Sequence, residues 1–508
     1  MTTTASGVLA KARAVRAERP RGRTLLALGL VAGAAVAVAL RLLGGRADGA
    51  LWIGFVVALG CAVVARPRAG YYLLLSVVIL ADDWMLYFSP WTHHFVGYYL
   101  FGNWWKLLSP EGVRRFGGIV NNTVEILLVV LVIGVAVRVR EGDRLVRPRE
   151  AVFASLYLAT LIGMLVYGLA TGGALKPALW QSRYLFHFVV VALLTPQVLR
   201  TPAHIRGAVW ALMIPIAVKA IQILWIFFES ERGHFGEWRE ILGHEDSNFF
   251  VSAIILGAVL ALYRVEPLQR WFLVSSLPFL LAGLVLNLRR AAYVTLALGL
   301  ALLPVLLHDR RWLVLKLTIP ALLVVGLYAA VYWHRPADQL GMPLQKAKSV
   351  FVAPVGSSDY NSNLYRVAEN FDVEHTILDR PWGLGFGHPF DIQIPLPDIS
   401  LLIAHWQYRP HNTILGMWMS LGTPGFIVFL VYFASILTLA SHHVRWQTHA
   451  YFRALSFWVL AAFACAFVFA TVDMYVGIQR GAVFLGALAG IQSAIDRLAP
   501  VRQGPVKS

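Results

Sequence analysis

Apolar runs close to 20 residues long recur from one end of this 508-residue chain to the other. A helix needs roughly 20 such residues to cross the hydrocarbon of a bilayer. Spans are expected near 24–43, 50–65, 70–87, 119–137, 150–171, 181–199, 207–228, 248–263, 271–287, 291–307, 313–333, 412–440, 453–472 and 481–496. Charge agrees: 14% of residues are Asp, Glu, Lys or Arg, where a soluble protein carries about 25%. The pattern predicts an all-α polytopic membrane protein with about 12–14 transmembrane helices.

Lys and Arg set the expected orientation. The tail KARAVRAERPRGR is strongly basic, as are RPR at 66–68 and RVREGDRLVRPR at 138–149. Arg200, Arg206, Arg264, Arg270, Arg310, Arg311, Arg445 and Arg453 continue the pattern on one side, and the stretch ESERGHFGEWREILGHED at 229–246 on the other is acidic. Positive loops stay cytoplasmic, which places both termini inside. The first span lacks a small-residue cleavage site and reads as a helix, not as a signal peptide. A net charge of +17 then reflects cations facing anionic membrane lipids, not nucleic-acid binding. Cys61 and Cys465 fall inside spans, so no disulfide framework or Cys-based metal site is expected, and no internal repeat is visible.

The organisation is therefore a basic cytoplasmic tail (1–23), an N-terminal transmembrane region (24–333), one large outer loop (334–411), C-terminal transmembrane helices (412–496) and a second tail (497–508). A loop of that length is usually functional or folded in its own right. Its segment 361–378 has Leu364, Val367, Phe371, Val373 and Leu378 at near-helical spacing, which predicts an amphipathic helix on the membrane surface. DRPWGLGFGHP (379–389) follows; Gly383, Gly385 and Gly387 shape a turn and do not form a dinucleotide fingerprint, because no strand precedes them.

The loop ends in YRPHNTILGMWMSLGTPGFIVFLVYF (408–433). Proline favours the first turn of a helix, so RPHN is expected to start one. From His411, steps of 4, 7, 11 and 14 reach Leu415, Trp418, Gly422 and Gly425 on one stripe. The Gly422–Pro424–Gly425 break then falls roughly 16 Å below His411, near mid-bilayer. Broken helix at that depth must be buried in protein or line a water-filled cavity. A helix N-terminus and Arg409 both favour a neutral His411 imidazole able to accept a proton.

Several arginines break the positive-inside pattern. Arg183 lies within a turn of the outer end of its span, Arg289 and Arg290 mark an outer hairpin inside a 36-residue apolar run, and Arg480 opens the last helix. Long cations also snorkel to the interface. Gathered with Arg409 beside His411, however, these guanidiniums would suit a diphosphate, whose oxygens they can grip as planar forks. Lys219, deep in a span and in need of a partner from among Asp82, Asp83, Glu125 and Asp473, is a secondary candidate, as is Arg366 in the loop helix.

These residues resemble the O-antigen ligase and O-antigen polymerase superfamily of bacterial membrane glycosyltransferases. His411-Asn412, nine residues, then Gly422-Thr423-Pro424-Gly425 is similar to the family's histidine signature at the end of its large periplasmic loop. DRPWGLGFG resembles an earlier turn in that loop, and RRAAYVTLAL resembles an arginine-bearing helix start, with Arg289 where serine is usual. The resemblance covers about 250–440. It implies a membrane glycosyltransferase fold in the inner membrane with its active site on the periplasmic face. It further implies a polyprenyl-diphosphate-linked glycan donor and inverting transfer, without metal or other cofactor; the expected form is an O-antigen or exopolysaccharide polymerase that joins one glycan to another, with a ligase acting on lipid A-core as the alternative. His411 would be the base and the arginines would hold the diphosphate. A flippase of lipid-linked sugars is the competing reading, supported by helix number, the broken helix and Lys219.

Overall fold

The apolar runs become helices whose ends fall where proline, glycine and charge collect. The computed structural model describes residues 25–42, 44, 47–80, 122–229, 241–335, 339–399 and 405–499. The first four helices are α1 (Leu25–Leu42), α2 (Ala47–Ala65), α3 (Pro67–Leu80) and α4 (Thr123–Arg140). The next seven are α5 (Ala151–Ala170), α6 (Leu175–Val198), α7 (Pro202–Glu229), α8 (His244–Tyr263), α9 (Pro267–Leu286), α10 (Arg290–Leu306) and α11 (Arg311–Tyr332). Two loop helices follow, α12 (Met342–Lys348) and α13 (Ser358–Asp379), then α14 (Thr413–Trp446), α15 (Ala450–Ala470) and α16 (Gln479–Leu498). No strand occurs among the described residues. Ten of these helices are long and apolar enough to cross a membrane, and the apolar α3 and α10 are shorter. The protein is an all-α polytopic membrane protein. α16 is less apolar because its neighbours are protein and not lipid: every residue from Gln479 to Asp496 is buried.

The chain divides into two compact units, Met1–Val77 with Pro90–Val146 and Val78–Ser89 with Arg147–Ser508. In the first, α2 packs on α4, and Asn122 and Glu125 close a reciprocal capping box at the start of α4. That box satisfies two backbone donors the helix cannot. In the second, α6 pairs along its length with α16, α8 and α15 complete the centre, and α5 lies against α14. α11 packs chiefly on α10 and leaves Leu322, Leu323, Val324, Val325 and Leu327 exposed, as a lipid-facing helix requires.

Two expectations about the loop change. α13 is amphipathic in an unforeseen way: Glu369, Asp372, Val373, Thr376 and Ile377 are buried, while Leu364, Val367, Phe371 and Leu378 are exposed. Val373 therefore belongs to the face that packs on α14, opposite the other apolar residues named with it. The stretch from Arg409 to Asn412 is not helical either. Asn412 is the N-cap of α14, its side chain accepting from Leu415 N at 3.1 Å, so the helix begins at Thr413 and His411 precedes it. A capping side chain offers the first-turn N–H groups an acceptor, and that outcompetes the proline preference. The stripe drawn from His411 therefore has no helical basis. α6 likewise starts at Leu175, which puts Arg183 two turns inside instead of one. The tails 1–23 and 500–508, Asp82 and Asp83, and most of the acidic stretch 229–246 lie outside the described residues.

Candidate active site

The N-termini of α6, α8, α10, α14 and α16 converge at one end of the second unit, and the chain just before α14 carries His411. Buried against it is Glu369, 42 residues earlier on α13 and 1% exposed. The Glu369 carboxylate accepts the His411 backbone N–H at 2.8 Å and lies 3.0 Å from the ring Nδ1. Tyr365, one turn back on α13, sets its ring edge-on to the imidazole at 5.5 Å between centroids. Burial, and then the Glu369 charge, push the Tyr365 phenol well above its usual pKa. α13 is itself fastened to the returning chain: Asp372 accepts from Gln393 N and Ile394 N, and the Thr376 hydroxyl from Asp391 N.

The break in α14 is filled by protein. Gly422 has φ +67°, outside helical geometry, and interrupts the helix. Into the gap fits the turn 381–385: Pro381 O accepts from Thr423 N at 2.8 Å, and Leu384 N and Gly385 N donate to Met419 O and Ser420 O. A Cβ on Gly422 would stand 2.2 Å from the Trp382 carbonyl, and one on Gly383 would stand 2.4 Å from Gly422 N. Both positions must be glycine for two backbones to touch. The two glycine motifs noted separately in the sequence are halves of one joint.

Of the sequence-predicted cations, four reach the His411 neighbourhood. Arg409 lays its guanidinium over Tyr184 at 4.9 Å and Trp180 at 5.9 Å and donates to Gly477 O. It walls a cavity of about 40 Å³ with Gln181, Tyr408, Pro410, Thr413 and Ser420. Arg289, at the N-cap of α10, approaches Asp473 at 3.9 Å; His244 Nδ1 is 2.6 Å from the same carboxylate. Thr413 ties this group to α14 by donating to Asp473 O at 3.2 Å. Arg290 donates to Ser349 O at 3.2 Å and lies 4.0 Å from Asp359, which Lys346 binds at 2.9 Å.

Arg366 is the fourth. It is half-buried on α13, three residues before Glu369, and its charge reaches Asp473 and Arg290. Residues three apart on a helix are neighbours. Arg366 makes no ion pair or hydrogen bond with the described residues. Burial raises the Asp473 carboxyl, but His244, Arg366 and Arg289 outweigh it and hold the group well below the usual carboxylate range. Among the described residues, four cations, Arg289, Arg290, Arg366 and Lys346, stand around Asp359 and Asp473 beside the His411–Glu369 pair.

Of the remaining three cations, Arg480 and Lys219 join one buried network elsewhere. Arg480 is 1% exposed and donates to Glu245 at 3.0 Å, to Asp246 at 2.9 and 2.5 Å, and to the carbonyls of Val78 and Ile79. Lys219 Nζ lies 3.8 Å from Asp246, an acid not among the four expected, of which Asp82 and Asp83 fall outside the described residues. Glu125 caps its own helix and Asp473 pairs with His244. Arg183 sits beside Tyr184 on α6, and its charge acts on His187 one turn on.

Glu369 is the residue sequence reasoning missed. An acid 42 residues from the histidine has no local signal; only its place on the buried stripe of α13 sets it apart.

Residues 275–430 match the family model described as O-antigen ligase. The matched segment holds Arg289, Arg290, Arg366, Glu369, Arg409, His411 and the Gly422–Gly425 break, and ends before Arg480. It supports the O-antigen ligase and polymerase superfamily and, with it, a membrane glycosyltransferase type of enzyme. No curated protein matches the chain.

Proposed function

With an O-antigen ligase segment at 275–430 as premise, we propose that the protein transfers a glycan from a polyprenyl-diphosphate carrier to an acceptor hydroxyl at the outer face of the cytoplasmic membrane. The observation that carries this reading is the half-buried Arg366, without an ion pair among the described residues, one turn from the carboxylate that holds His411. In the reaction His411 accepts the proton of the attacking hydroxyl. The hydroxyl oxygen bonds to the anomeric carbon as the bond from that carbon to the diphosphate oxygen breaks. The electron pair leaves on the diphosphate, where Arg366 and Arg290 meet the developing charge. Arg409, stacked on two aromatic rings beside a small cavity of mixed lining, borders the site at the start of α14.

The description of the matched family fits the ligase form, a single transfer to lipid A-core, and the number of additions per acceptor separates it from the polymerase. The features a flippase would share have other partners: the break in α14 receives a turn of the loop, and Lys219 faces Asp246. The test uses purified protein with a polyprenyl-diphosphate glycan and lipid A-core in detergent. Release of polyprenyl diphosphate without a transmembrane gradient is expected, with one addition per acceptor. A ladder of products would instead identify a polymerase. His411→Ala should abolish turnover in folded protein; full activity in that variant refutes the assignment.

A further inference from the structure

An imidazole serves as a base only if the nitrogen facing the substrate carries the lone pair. Two features of Glu369 control which nitrogen that is. First, it contacts His411 twice, at the backbone N–H (2.8 Å) and at Nδ1 (3.0 Å), so one rigid carboxylate sets both the chain and the ring. Second, it is 1% exposed and sits on the face of α13 packed against α14, where it cannot swing to another partner. An ionised carboxylate only accepts hydrogen bonds. The proton of the neutral ring must then lie on Nδ1, pointing at Glu369, and Nε2 is left as the acceptor.

We propose that Glu369 is a positioning residue for His411: it fixes the Nδ1–H tautomer, aims Nε2 at the acceptor hydroxyl and balances the imidazolium formed when that proton arrives. The inference rests on the reading of His411 as the base. In the step itself the hydroxyl proton moves to Nε2, the Nδ1 proton stays in its bond to Glu369, and the carboxylate remains ionised. Buried carboxylates behind catalytic imidazoles act in this way, and an isosteric amide that enforces the other tautomer costs up to about 10⁴-fold in kcat in the best-studied hydrolase triad. Tyr365, edge-on to the ring, closes one side, so rotation of the imidazole meets protein on that side as well.

Glu369→Gln keeps shape and the acceptor for the backbone N–H, but its amide N–H₂ can face Nδ1 only if the ring proton moves to Nε2. The expected result is a fall in kcat on the order of 10³-fold with KM for the lipid-linked donor within about twofold. Glu369→Asp, which keeps the charge, should recover at least tenfold over the glutamine variant. Thermal unfolding in detergent shows that each variant is folded, and Glu369→Asp stands in should the glutamine variant fail to fold, with kcat again falling while KM holds.

Wild-type kcat in Glu369→Gln, with His411→Ala inactive, overturns the positioning role and leaves the proposed function intact. Activity in His411→Ala overturns both. A loss in Glu369→Gln that appears in KM also overturns it, since a merely structural carboxylate would produce that.

Discussion

Arg480 and Arg366 are the same residue type at the same end of the helix bundle, and the structure uses them in opposite ways. Arg480 is sealed, with two carboxylates and two carbonyls around its guanidinium. Arg366 is half-buried, and no described residue bonds or ion-pairs with it. The difference teaches that burial alone does not mark an anion-binding cation in a membrane protein; open hydrogen-bond donors do. A guanidinium already matched by acids is part of the frame. One that feels a carboxylate's charge without touching it is poised for another anion.

The largest effect should come from Arg480→Ala, which removes the guanidinium that Glu245 and Asp246 share and leaves Lys219, 3.8 Å away, as the cation beside Asp246. A loss of about 3–5 kcal/mol is expected, read as failure to accumulate or a much lower midpoint of thermal unfolding in detergent. A folded variant with a selective defect in donor use would erase the contrast between the two arginines. Next is Arg366→Ala: unfolding unchanged, turnover down about 10²–10³-fold, as for removal of one group that stabilises developing charge. Gly422→Ala tests the joint between loop and helix. Its positive φ and the Trp382 carbonyl should make it cost about 1–3 kcal/mol in stability, measured by the same unfolding assay. Arg290→Lys keeps charge and loses the planar fork, so a fall of about tenfold in kcat/KM for the donor is expected.

The smallest expected effect concerns Asp473. Its folded-state pKa is depressed, so its contribution to stability is complete above the ordinary carboxylate pKa and is lost only as pH falls through the lower folded value. Unfolding should therefore show an acid step, below the ordinary carboxylate pKa, that Asp473→Asn removes; an unchanged acid profile in that variant would contradict the charge arrangement.

Much of the fold was legible because lipid leaves a helix little choice: long apolar runs gave the spans, and Arg289–Arg290 gave the hairpin between α9 and α10. The break at Gly422 was legible too, since glycine and proline act locally. What filled it was not, because 381–385 meets 419–423 through backbone atoms that no side-chain pattern encodes. Asn412 could have been recognised as a cap, and it moves His411 out of the helix. The acids that engage Arg480 and Lys219 stood in plain view at the end of the 229–246 stretch, in the first turn of α8. Reading that stretch as loop hid them. Glu369 depended on how α13 rolls onto α14, which only tertiary packing decides.

The interlocked glycines have a consequence for exchanging parts between homologues. The long loop is keyed into the membrane helix that follows it, much as a bolt seats in its keeper. Chimeras that swap 334–411 alone should assemble poorly, whereas those carrying 419–425 along with it keep bolt and keeper matched.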